Sequence, residues 1–126
     1  MQEPKPIRSF HDLGVWVRSI DLSLSVYAAT QDFPRSELYG LTSQMRRAAV
    51  GVASCIAEGH SRSTASYLHF LEIALGSNSE LPTPLVIARR LGLGQQEKIE
   101  RAERISTEVG KMLNSLRSKL SRSTNR

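Results

Sequence analysis

Apolar residues recur along this chain at steps of three and four, the spacing that lines one face of an α-helix. The first run begins at Asp12 and sets Leu13, Trp16, Val17, Ile20, Leu24 and Tyr27 in one stripe. The stretch "TQDFP" ends it, because the residue before Pro34 is pushed out of the helical region. Ser36 is the N-cap expected for a second helix with Leu38, Leu41, Met45, Ala48, Ala49, Val52 and Ile56 on its inner face. Gly59 suits the position just past that helix. Ser63 or Thr64 opens a third, carrying Tyr67, Phe70, Leu71, Ala74, Asn78, Leu81, Leu85, Ala88 and Leu91. After "LGLGQQ", a fourth carries Ile99, Ala102, Ile105, Val109, Met112, Leu113, Leu116 and Leu120.

No segment alternates with period two, so no strand is expected. Long amphipathic helices joined by short loops predict an all-α fold, an antiparallel up-down-up-down four-helix bundle. It is expected to be one domain over residues 1–126, with 1–10 as an extended lead-in and 121–126 as a disordered polar tail. Pro82 and Pro84 fall inside the third helix, where each removes a backbone hydrogen bond at a cost of about 3 kcal/mol. Because Leu81, Leu85 and Ala88 keep helical spacing across them, the expectation is a kink near Pro82/Pro84.

Charge changes the picture at one end. Residues 1–88 hold seven Lys/Arg against eight Asp/Glu, residues 89–126 ten against four, and the net +5 therefore belongs to the C-terminal third. Such an excess is either a solvated helix face or a surface for a polyanion. The candidate nucleic-acid contacts are Arg46, Arg47, Arg89, Arg90, Lys98, Arg101 and Arg104. Lys98, Arg101 and Arg104 stand three apart and form a slowly drifting stripe; Glu97 and Glu100 can pair with Arg101 and Arg104 at i, i+4. Aromatic residues are few (6%) and offer little for base stacking, so recognition of phosphate and shape rather than of sequence is expected.

The stretch "RRAAVGVASCIAEG" holds the one cysteine and has no charge between Ala48 and Ala57. A helix that covered only its own bundle would show charge on its back. Small residues nearly all the way round predict contact on two faces, the second belonging to another subunit. Ala49, Val52, Ala53, Ile56, Ala57 and Glu58 are the candidate interface residues. Glu58, in a last turn where the helix dipole disfavours a carboxylate, calls for a cation from Arg62, Arg117 or Lys119. Cys55 has no base at a spacing that forces proximity and reads as a small buried hydrophobe. Cys55 with His11, His60 and His69 lacks the paired spacing of a zinc site, so no metal and no cofactor are expected. Glu72 and Glu80 are two turns apart, too far to share a proton, and no Glu-x-x-His pair is present.

The segments "FPRSELYGLTSQMRRAA", "IAEG" and "ALGSNSEL", in this order and spacing, resemble the bacterial four-helix-bundle proteins encoded in intervening sequences of large-subunit ribosomal RNA genes. The likeness runs from about Phe10 to Leu120. It implies a homopentamer with a central channel and no known enzymatic activity. The chain is also similar to the accessory protein of diversity-generating retroelements, which implies work beside a reverse transcriptase and nucleic acid through a basic surface. Where that pattern usually has Ser, Pro and Asn, this chain has Gly51, Ala53 and Cys55.

The expected function is therefore that of a non-enzymatic, cytoplasmic homo-oligomer, pentameric by resemblance, that binds ribosomal RNA or other nucleic acid and no membrane. The alternative is an adaptor ring that takes a protein partner in a groove beside the Pro82–Pro84 kink.

Overall fold

The computed structural model describes residues 13–124. Every regular element in them is helical: α1 Gly14–Thr30, α2 Ser43–His60, α3 Thr64–Ser79, α4 Pro82–Leu91 and α5 Gln96–Thr124. The extended lead-in expected at 1–10 lies outside the described residues, as do His11 and Asp12. α2 packs on α1 and α3, and α5 packs on the same two helices with α4 beside it. The fully buried Leu22, Met45, Ile56, Leu71, Leu81, Leu85, Ile99 and Leu113 come from every helix and meet in one core. Burying such side chains contributes about 1.5–3 kcal/mol each.

α1 turns the other way from its expected stripe. Val15, Ser19, Leu22, Val26 and Ala29 face inward at steps of four and three. Of the larger residues, Leu13 is buried, Trp16 and Ile20 are half-buried, and Val17, Leu24 and Tyr27 are 48%, 64% and 46% exposed. The helix itself satisfies three of its four buried hydroxyls: Ser19 and Ser25 donate to the Trp16 and Leu22 carbonyls at 2.7 Å, and Thr30 to Val26 at 2.8 Å.

The second helix starts seven residues later than Ser36. Arg35–Glu37 forms one tight turn and Leu38–Thr42 a wide one before α2 begins. The Glu37 carboxylate accepts the Leu41 N–H at 3.2 Å, and the Gly40 backbone (φ −106°, ψ −114°) leaves helical geometry there. Gly59 lies inside α2 rather than past it. A Cβ on Gly59 would stand 2.7 Å from the Phe70 Cβ and 3.1 Å from Tyr67 Cδ1, so its role is the close approach of α3. Ser63 caps α3, accepting from the Ser66 N–H at 3.4 Å.

The single third helix expected from the sequence is divided into α3 and α4 by a bend at Glu80 and Leu81, whose backbones stay right-handed helical. Pro82 and Pro84 sit in the first turn of α4, where a missing N–H costs little. Leu81, Pro84 and Leu85 at the bend belong to the chain's own core. Gly92 (φ +70°) closes α4 in the left-handed conformation that favours glycine. α5 then runs as 29 residues, so Ser121 and Arg122 are helical rather than part of a disordered tail. Buried Asn78 and Ser106 bind α3 to α5 reciprocally: Asn78 Nδ2 donates to the Ser106 carbonyl and Ser106 Oγ to Asn78 Oδ1, both at 2.9 Å.

Candidate nucleic-acid surface and subunit seam

The outer face of α5 carries a row at helical steps of three and four: Arg101, Arg104, Glu108, Lys111, Ser115, Lys119 and Arg122. Its cations extend over about 32 Å at 1.5 Å per residue. Glu108, the acid in the row, is held by Arg18 of α1 at 2.8 Å, and the same guanidinium reaches Asp21 at 3.0 Å. The Glu108 carboxylate, and then Asp21, push the Arg18 pKa up, so this cation stays charged. Lys111, Lys119 and Arg122 are not among the sequence candidates: Arg122 falls in the expected tail, while Lys111 and Lys119 lie inside the expected fourth helix, where the step pattern joins them to Arg101 and Arg104.

The seven predicted contacts separate into three groups. Arg89 pairs with Glu103 and Lys98 with Asp32, each at 3.1 Å, so both tie α5 to its neighbours. Arg46 is half-buried, with its guanidinium 4.3 Å from the Tyr27 ring centroid and Nε donating to Thr30 Oγ1 at 2.9 Å. Arg47, Arg90, Arg101 and Arg104 are exposed and make no ion pair among the described residues. The anticipated Glu97–Arg101 and Glu100–Arg104 pairs are not among the ion pairs formed.

The candidate interface on α2 also divides. Ala49, Val52 and Ile56 are fully buried in the chain's own core and have no surface left for a partner; Ala53 is 6% exposed. Ala53 and Ala57 instead line an apolar groove of about 390 Å³ with Trp16, Ile20, Leu24 and Val50, between α1 and α2. Trp16, Leu24 and Val50 are the groove residues that sequence reasoning missed. For Trp16 and Leu24 the signal, bulk along α1, was present but placed in the core stripe; Val50 of α2 stood in neither expected stripe. Ser23 also lines the groove, and its buried hydroxyl has no hydrogen-bond partner among the described residues.

Glu58 accepts from Arg62, the first of its predicted partners, and Arg62 also lies over the Phe70 ring at 5.1 Å. Burial, and then Glu58, push the Cys55 thiol pKa up, the opposite of what a nucleophile requires. His60 meets Tyr67 edge-on at 5.6 Å, and His69 meets Phe70 at 6.0 Å. Among the described residues no three His, Cys, Asp or Glu side chains converge to hold a metal, and no helix is long and apolar enough to cross a membrane.

The family model for the 23S rRNA-intervening sequence protein matches residues 11–115. The chain belongs to this family. A comparison with curated proteins gave no match. The family span takes in α1 to α4 and most of α5, including Arg101, Arg104 and Lys111, and ends before Lys119 and Arg122.

Proposed function

We propose that this family member is a non-enzymatic homo-oligomer of up-down-up-down bundles that binds structured RNA, or an RNA-associated complex, through the outer row of α5. The row is the observation that carries the reading: cations at Arg101, Arg104, Lys111, Lys119 and Arg122 share one face, and the acid among them is neutralised by Arg18. An A-form stem offers such a face phosphates and 2′-hydroxyls rather than readable base edges, so contacts of this kind recognise shape.

The α1–α2 groove is the seam we assign to a second copy. Exposed Leu24 and Val50 beside half-buried Trp16 are poorly explained in an isolated chain. A closed ring, pentameric by the family resemblance, repeats the α5 row once per copy and raises avidity without new contacts.

The test is binding of the full chain to a labelled ribosomal RNA stem across a salt series. Log affinity should fall with log salt at a slope of several, about 0.7–0.9 for each phosphate neutralised. Alanine at Arg101, Arg104 and Lys111 together should lower that slope by about two. No binding at low salt would return the row to solvated surface and point to a protein partner.

A further inference from the structure

Arg47 of α2 has no ion-pair partner among the described residues. It lies between two clefts that meet at the wide turn before α2. That turn, shaped by Glu37 and Gly40, holds the Tyr39 ring 94% exposed, the most exposed of the large apolar side chains in the described residues. One cleft, of about 620 Å³, is lined by Tyr27, Leu38, Tyr39, Arg46 and Arg47, with Ser43 at its wall and no carboxylate, and it adjoins the α1–α2 groove at Val50 and Ser54. The other, of about 470 Å³, shares Tyr39 and Arg47 but contains Glu80.

We propose that the first cleft seats one unpaired nucleotide of an RNA strand, its base against Tyr39 and its phosphate on Arg47. The volume falls in the range that small-molecule sites occupy. An exposed tyrosine beside an unpaired arginine is the pairing that single-strand binders use, a stacking face for the base and a cation for the backbone. Arg46 supplies a second positive charge already fixed by Tyr27 and Thr30, so ordering it on binding costs nothing further. Glu80 repels a phosphate from the neighbouring cleft and so directs it to this one. A second copy seated here would have to bury Arg47, which requires a matching carboxylate.

This inference rests on the RNA-binding reading and deepens it. The bases of an A-form stem are stacked and unavailable, so the α5 row meets duplex phosphates while the Tyr39 cleft requires an unpaired base.

The experiment uses the full chain with two labelled probes, a single-stranded 12-nucleotide oligouridylate and an RNA duplex of equal length, with solution mass followed by light scattering. Tyr39→Ala should weaken single-strand binding about tenfold, within the 1–3 kcal/mol of one stacked base, and leave duplex binding unchanged. Tyr39→Phe should bind as the wild type does, and Arg47→Gln should lower the single-strand salt slope by about 0.7. Equal single-strand affinity for wild type and Tyr39→Ala, or a wild type that binds only duplex, overturns the seat and leaves the α5 reading standing. A changed mass in Tyr39→Ala assigns the cleft to subunit contact and likewise overturns it. Failure of both probes to bind removes the α5 reading, and this inference with it.

Discussion

α1 and α5 lie side by side, yet their outer faces have opposite chemistry. α5 is cleanly amphipathic: Ile99, Ala102, Ile105, Val109 and Leu113 are buried, and the far side carries the cationic row. α1 puts hydroxyls and small residues inward and leaves Val17, Leu24 and Tyr27 outside. An outer face that is charged is finished when the chain folds. One that is apolar is finished only when something covers it. The two helices treat buried hydroxyls differently as well. Those of Ser19, Ser25 and Thr30 are satisfied within α1, whereas Ser106 of α5 depends on Asn78 of α3.

The largest effect should come from giving α1 the outer chemistry of α5. Leu24→Glu sets a carboxylate in the apolar groove, and the solution mass should fall to that of the single 14.0 kDa chain with helical content unchanged. An oligomer that survives this change would place the seam elsewhere. Asn78→Ala is the next in size. It leaves Ser106 with an unpaired buried hydroxyl and carbonyl contact, and urea unfolding should register a loss of about 2–3 kcal/mol. Ser25→Ala, whose hydroxyl bonds only its own helix, should cost under about 1 kcal/mol by the same measurement.

The smallest effect concerns Tyr67, which is buried with its hydroxyl unpartnered. Burial raises its pKa above the unfolded value, so its contribution is complete below about pH 10 and is lost as pH rises through the folded pKa. Tyr67→Phe should leave neutral stability unchanged or raise it by up to about 1 kcal/mol, and should flatten the alkaline decline. A marked loss at neutral pH would show that the hydroxyl has a partner.

How much of this was legible in the sequence differs by helix. The buried stripe of α5 could be read directly from its apolar period; its cationic row was read only as far as Arg104. α1 could not, because the helical period fixes spacing but not which of two stripes turns inward; Ser19 and Ser25 look polar until their own helix satisfies them. In α2 the small residues divide in a way their spacing does not show: Ala49, Val52 and Ile56 meet the chain's own core while Ala53 and Ala57 line the groove. Tyr39 gave no periodic signal, since the turn that exposes it departs from helical geometry at Gly40.

The Arg18–Glu108 contact joins residues 90 apart in sequence, whereas α2 and α3 meet across a three-residue turn. Folding therefore has a cheap step and an expensive one. The α2–α3 hairpin closes a short loop, while docking α1 on α5 closes most of the chain and bears the larger loop entropy. On the ribosome α1 emerges before the helix that completes its inner side. Until α5 arrives α1 has only α2 beside it, so the side of α1 that α5 closes stays open while the rest of the chain is made.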